Sequence, residues 1–273
     1  MKAKLPYISE IAPDTFAINE FGLSAMYLLL GEQRGLLIDT GCGLFDLKKT
    51  ISDITDKSYD VVLTHGHLDH VGGAGVFDHV YINKADKKMA ENLDYRELRK
   101  YVDNTGKMGS YGSYDFSIET IRKINKMPEF SYIDDDDFFD LGNRNIGVIS
   151  VPGHTKGSIV LLDEKNRIMF SGDSCNSNLL IMGGSVHTTR DGLLKLKKKV
   201  EEKADQNFSG HLGYAGRQEC FSQPYDTLNE LIYLCNTALD HHKDIKVVSE
   251  QMDNVHNRLK YGTSMITYDR SKV

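Results

Sequence analysis

VVLTHGHLDHVGG, residues 61–73, drives an apolar, β-branched run straight into three histidines and an aspartate within six positions. His65 and His67 stand two apart and Asp69 and His70 follow, giving H-x-H-x-D-H. The run DVVLT (60–64) reads as a strand. Where a strand breaks into a loop and then a helix, residues two apart face one side and the next turn brings the adjacent pair round. Such a segment presents four ligand atoms to a small volume. Gly66 lets the backbone bend, and Gly72 and Gly73 allow close approach behind it. Neutral imidazole and carboxylate suit zinc, and iron or manganese are also accommodated.

A cation with open positions needs ligands from several elements, and the chain offers more. VISVPGHTKGSIVLL places His154 on a turn between two strands, RIMFSGDS ends on Asp173, and FSGHLGY carries His211. Each is a lone His or Asp beside a glycine at the end of an apolar run, where functional loops gather on one edge of a scaffold. One such histidine alone reads as structural or solvated; their joint occurrence does not.

Bulk properties narrow the field. The chain has 273 residues, 40% hydrophobic and 26% charged, with a net charge of −6. That is ordinary globular composition with ample core and no electrostatic footprint for nucleic acid. No apolar run of about 18 residues offers a membrane span. MKAKLPYISEIAPDTF lacks an apolar signal region, and four scattered cysteines make no disulfide framework. The expected setting is the cytoplasm, and the expected partner a small-molecule substrate, with neither nucleic acid nor membrane.

Around the histidine segment, TFAI (15–18), AMYLLL (25–30), GLLID (35–39), HVYI (79–82), IGVISV (146–151), SIVLL (158–162) and RIMFSG (167–172) also read as strands. The earliest form an antiparallel meander. Helices are expected over LFDLKKTISDI (44–54), over DGLLKLKKKVEEKA capped by Thr188, Thr189 and Asp191, and after Pro224. Residues 84–140 read as a helical insertion and 221–263 as a C-terminal helical region, within one domain spanning 1–273. Asp134 to Asp137 read as a solvated turn. Two sheets packed together and covered by helices fit this α/β pattern.

Taken together, LLIDTG (36–41), THGHLDHVGG (64–73), VPGHTKGSIVLL (151–162), FSGDS (170–174) and SGHLGY (209–214) make the sequence resemble the metallo-β-lactamase-fold hydrolases. The resemblance implies a four-layer αβ/βα sandwich with a metal cleft at one edge. It assigns His65, His67 and His154 to a first metal and Asp69, His70 and His211 to a second. Asp173 would bridge the two, and Asp39 would be an acid standing behind the ligands. It further implies two divalent ions, zinc first, and a bridging hydroxide that cleaves a small ester-like substrate: a thioester, lactone or other carboxylic ester. Ions about 3.5–4 Å apart can share that hydroxide and polarise the electrophile. Asp69, expected to orient the nucleophile or carry a proton, is the candidate catalytic residue.

Oxidoreductases of this fold resemble H-x-E-x-D-H, so His67 favours a hydrolase over an iron-dependent oxidoreductase; a metal-dependent phosphodiesterase stays open as the other alternative. Glyoxalase II-like thioesterases hold their thiol carrier on a C-terminal helical region, here flanked by Arg217, Lys243, Arg258 and Lys260. Tyr111 and Tyr114 read as packing rather than a lid, and Cys42 as a small buried residue rather than a nucleophile. Cys175, Asn176, Asn178 and His187 are candidates for the cleft wall. His79, His241, His242 and His256 have no ligand context.

Overall fold

A computed structural model describes residues 2–121, 126–211, 221–224, 226–240 and 246–273. The first sheet follows chain order: β1 (Tyr7–Ala12), β2 (Thr15–Glu20), β3 (Ser24–Leu30), β4 (Gly35–Ile38), β5 (Tyr59–Val62), β6 (His79–Ile82) and β7 (Glu129–Tyr132). It begins as the antiparallel meander expected from its short turns and becomes parallel from β4 onward. Crossovers carrying α1 (Leu47–Ser52) and α2 (Leu68–Val71) make the parallel pairing possible. The second sheet contains β8 (Phe138–Asp140), β9 (Asn145–Ser150), β10 (Ile159–Asp163) and β11 (Ile168–Gly172). The chain then leaves it for β12 (Asn178–Ile181) and α6 (Val186–Val200), and returns as β13 (Gln206–Ser209), parallel to β11.

Three apolar layers hold these elements. Tyr27, Leu29, Leu36, Ile38 and Val62 of the first sheet meet Val148, Ile159, Leu161 and Phe170 of the second. The outer face of the first sheet packs on Leu47, Ile51 and Val71 of the two crossover helices. The outer face of the second packs on α6 and on α7 (Thr227–Asp240), through Leu193, Leu196, Leu231 and Cys235. Helix, sheet, sheet, helix is the four-layer αβ/βα order.

The insertion is helical in α3 (Lys87–Glu91), α4 (Tyr95–Thr105) and α5 (Tyr111–Ser113). Residues 118–120 form only a short 3-10 turn, and the last part of 84–140 supplies strands β7 and β8. α4 seats Leu98 and Val102 against Phe21, Leu23, Cys42 and Leu44, beside the β2–β3 turn.

The expectation of a helical 221–263 is corrected as well. Beyond α7 the chain forms β14 (Val248–Gln251), β15 (His256–Tyr261) and β16 (Ser264–Asp269), which join β12 in a third sheet. Burial alternates along β16, with Ser264, Ile266 and Tyr268 inward. That period of two belongs to a half-buried strand. α6 starts a turn earlier than expected, with Ser185 accepting from the Thr188 amide as its cap. The acidic turn is not merely solvated: Asp135 and Asp136 pair with Lys195 and Lys199 on α6.

Candidate metal centre

Parallel pairing explains why distant residues meet. β4 and β5 end side by side, so Asp39 and Thr64 emerge at one edge, followed by the histidine segment. β11 and β13 also end together, delivering Asp173 and His211, and the Gly210 amide donates to the Gly172 carbonyl at 2.8 Å. β9 runs out toward His154, and the Ile159 amide donates to the Thr64 carbonyl at 2.9 Å across the two sheets. His67 caps α2, which turns Asp69 and His70 inward. Gly73 lies so close to the β4 turn that a Cβ there would sit 2.3 Å from the Thr40 carbonyl oxygen.

All seven side chains singled out in the sequence converge. Three overlapping groups have ligand atoms within 4.8 Å of one another: His65, His67 and His154; His65, His70 and Asp173; Asp69, His70 and His211. His67 Nδ1 lies 3.1 Å from His65 Nε2 and 2.8 Å from His154 Nε2. Asp173 Oδ2 is 3.1 Å from His211 Nε2 and 3.4 Å from His154 Nε2, so it lies between the two sets. Five of the seven are buried, and His67 and Asp173 are slightly more exposed, the Asp173 side chain by 11%.

The surroundings fix which nitrogen of each ring faces inward. His154 Nδ1 donates to the Leu180 carbonyl at 2.8 Å and His211 Nδ1 to the Leu23 carbonyl at 2.9 Å, since a carbonyl can only accept. His70 Nδ1 donates to Asp39 Oδ2 at 2.8 Å. The Thr64 hydroxyl spends its proton on Asp39 Oδ2, at 2.8 Å, so His65 Nδ1 must donate to Thr64 Oγ1 at 3.1 Å. Four rings therefore turn Nε2 toward the cluster, as backbone and carboxylate partners commonly arrange for metal-binding histidines.

What faces them suits a cation. His70 Nε2 and Asp173 Oδ1 are buried, lie 3.8 Å apart and form no hydrogen bond among the described residues. His70 Nε2 is also 3.9 Å from Asp69 Oδ2. As a lone pair it would confront carboxylate lone pairs, and as an N–H it would lack an acceptor in reach. A positive ion between them satisfies every atom, so the donor set fits divalent zinc.

Without an ion, protons must serve. Burial lowers His70, but Asp39 and Asp69 outweigh it and lift the ring to about 10. His211 is raised likewise, by Asp173 and Asp69 against burial. Burial opposes ionisation of Asp173, yet the charge and hydrogen bond of His211, with the charge of His70, hold it well below the usual carboxylate range. On the other side, burial and neighbouring rings push His65 well down and His67 to about 4, and burial lowers His154. The pocket thus separates into three neutral imidazoles and a charged His–Asp set.

Other candidates lie apart from this chemistry. Tyr114 is buried in packing against Phe21, and Tyr111 stacks on Phe116. Cys175 is buried, Asn176 accepts from the Asn178 amide, and His187 is exposed on α6. His79 bonds Ser131 and His256 pairs with Asp253. Arg258 bonds Thr267 and Lys260 pairs with Glu250 in the C-terminal strands. Arg217, Lys243, His241 and His242 lie outside the described residues. Sequence reasoning missed Thr64 and the carbonyls of Leu23 and Leu180, which carry no chemical signature until the fold brings them against a ring.

Comparison with known proteins agrees with this architecture. The family model described as the Metallo-beta-lactamase superfamily matches residues 19–211, from β2 to the last of the clustered histidines. The acyl-coenzyme A thioesterase MBLAC2 of Homo sapiens is 27% identical over 172 residues, covering 57% of this chain and 60% of that protein. The hydroxyacylglutathione hydrolase GloC of Haemophilus influenzae is 26% identical over 159 residues, 56% of this chain and 64% of its own length. The aligned region thus spans less than two thirds of these relatives. A solved metallo-beta-lactamase family protein from Thermus thermophilus superposes with a TM-score of 0.57 at 17% identity, covering 89% of this chain and 86% of its own. With the family's pattern running through the sandwich edge where the histidines and aspartates meet, the chain belongs to the metallo-beta-lactamase superfamily.

Proposed function

We propose that the cluster holds two divalent cations, zinc first, and that the protein is a metal-dependent hydrolase of a small carboxylic ester-like bond, a thioester foremost. The observation that carries this is the inward convergence of imidazole nitrogens on two buried, unpartnered atoms, His70 Nε2 and Asp173 Oδ1. His65, His67 and His154 would hold one ion, Asp69, His70 and His211 the other, with Asp173 between. Bound there, the ions supply Lewis-acid polarisation of the electrophile and bring the pKa of water toward neutrality.

The chain's own residues do the rest. Asp39 and the carbonyls of Leu23 and Leu180 lock three rings in one tautomer, so no reorientation accompanies binding. Asp69 is buried within 3.5 Å of His211 Nε2, and in this reading its carboxylate takes a proton from the attacking water and gives it to the departing leaving group. His67 and Asp173, the two members not fully buried, would face the entering substrate. Two relatives are named for acyl groups carried on thiols, which favours a thioester over other esters.

A panel of thioesters, lactones, carboxylic esters and phosphodiesters, assayed with zinc-reconstituted protein, tests the reading; thioester turnover is expected to lead. Asp69→Asn at full metal occupancy is expected to lower kcat by about 10²–10⁴ with little change in KM. Unchanged turnover removes Asp69 from the chemistry. Protein purified without added metal should carry zinc, whereas iron with substrate-dependent oxygen consumption would overturn hydrolysis.

A further inference from the structure

We infer that Asp86 is a positioning residue: it sets the spacing between the loop of His65 and His67 and the loop of His154, and so tunes how tightly that three-histidine group holds its ion. This rests on the cluster being a cation centre and extends it to a residue outside the seven.

Asp86 lies where the insertion begins, in the polar stretch NKAD, and is only 1% exposed. It stands at the N-cap of α3, where an aspartate ordinarily accepts from its own helix's amides. Here the side chain makes no such bond. It turns instead to the two loops. Oδ2 accepts from the Gly66 amide at 3.0 Å and from Thr155 Oγ1 at 2.5 Å, while Oδ1 accepts from the Gly157 amide at 2.8 Å. Gly66 lies between His65 and His67, and Thr155 follows His154 directly. One carboxylate thus ties both halves of the three-histidine group, whose inward nitrogens, His67 Nδ1 and His154 Nε2, are 2.8 Å apart.

The contact leaves no slack. A Cβ on Gly66 would sit 2.9 Å from the Asp86 carbonyl oxygen, and one on Gly157 would sit 2.7 Å from the Asp86 carboxyl carbon. Thr155 is held from its other side by Ser158 Oγ at 2.6 Å. Both loops therefore reach the carboxylate by backbone or by a short, twice-bonded hydroxyl. All three bonds use donors that need an acceptor, and an amide in place of the carboxylate turns its NH2 against at least one of them. Asp86 touches none of the seven clustered side chains in the hydrogen bonds or ion pairs described, so its effect passes through the loops.

Cobalt(II) titration, followed by visible d–d absorption alongside circular dichroism, tests this on the parent, Asp86→Asn, Thr155→Val and Asp39→Asn proteins. Asp86→Asn is expected to weaken one of two cobalt-binding steps about 10–100-fold and leave the other nearly unmoved. Asp39→Asn, at a residue that bonds His70 directly and reaches His65 only through Thr64, is expected to weaken the other step more than the first. Thr155→Val, losing one bond of three, should weaken the same step as Asp86→Asn, by less. Parent-like binding in Asp86→Asn overturns the inference, as does equal weakening of both steps, which marks general loosening. If Asp86→Asn does not fold, Thr155→Val decides by the same criterion. A parent protein that takes up no cobalt defeats the cation reading and this inference together; two steps in the parent, unaltered in the variants, defeat the inference alone.

Discussion

Asp39 adopts a left-handed backbone conformation, φ 62°, at the end of β4, and from there its carboxylate takes three hydrogen bonds: the Thr64 amide, the Thr64 hydroxyl and His70 Nδ1. It governs two rings, His70 directly and His65 through the committed threonine proton. Asp39→Asn should therefore lower zinc affinity about 10–100-fold at the Asp69, His70 and His211 group, which Asp39 bonds directly, and less at the group of His65, measured against a competing chelator; parent-like affinity would show that the tautomer does not matter. The cysteines illustrate the opposite case. Burial and the nearby Glu20 push the Cys42 thiol well up, and burial brings Cys175 and Cys235 to about 12. Thiolate is the reactive form, so none of these three should be alkylated by iodoacetamide until the protein unfolds, as peptide mapping would show. Labelling of Cys42 in native protein would contradict this. At this scale the seven clustered residues were legible because their side chains advertise ligand chemistry. The partners that aim them were not: Leu23 and Leu180 act through main-chain carbonyls, and Asp86 is one acid among several in a polar segment.

Loops that carry the histidines are positioned by close backbone contacts between elements. The turn after β12 packs against the His154 loop so tightly that a Cβ on Gly183 would lie 2.3 Å from the Thr155 carbonyl carbon. Gly183 also donates to the His154 carbonyl at 2.9 Å. Gly183→Ala should displace His154 and cost at least about tenfold in metal affinity, while circular dichroism stays native. Retained affinity would mean that the loop absorbs the methyl elsewhere. The central strands were readable from their apolar runs, since strands buried on both faces by the four layers need them on both sides. β14 to β16 were not, because basic and polar residues interrupt their alternation and a preceding amphipathic helix invites continuation. The end of the insertion was misread for a related reason: short strands such as Phe138–Asp140 show their period only once paired.

Across the whole molecule the sandwich has two differently built edges. Opposite the histidines, Arg144 and Asp163 form a buried ion pair at 2.5 Å, and Arg144 also donates to the carbonyls of Asp14 and Leu30 and to Thr15. This guanidinium pins the first sheet to the second. Arg144→Met leaves Asp163 buried and unpaired and should destabilise the fold by about 3–5 kcal/mol in urea denaturation. A change under about 1 kcal/mol would indicate that water reaches the pair.

The other edge makes stability depend on pH. In protein stripped of metal, the stabilisation from neutral His65, His67 and His154 is present above about pH 6.5 and is lost as pH falls toward about 4, the value of His67. The raised groups behave inversely: the contribution of His70 and His211 is present below about pH 6.5 and is lost as pH rises toward about 10, the value of His70. Urea midpoints of stripped protein should thus peak near neutrality and fall on both sides. Zinc, which needs the rings unprotonated, should abolish the alkaline decline. A flat profile in stripped protein would contradict these assignments.

The order of the seven residues along the polypeptide has a bearing on synthesis. Four of them lie before residue 71 and three after residue 153, just beyond strands of different sheets. A ribosome-bound chain that has exposed only its first half offers an open set of side chains with nothing opposite. The seven side chains come together only once β13 has docked beside β11, so capture of the proposed ions would follow the packing of the two sheets rather than seed it.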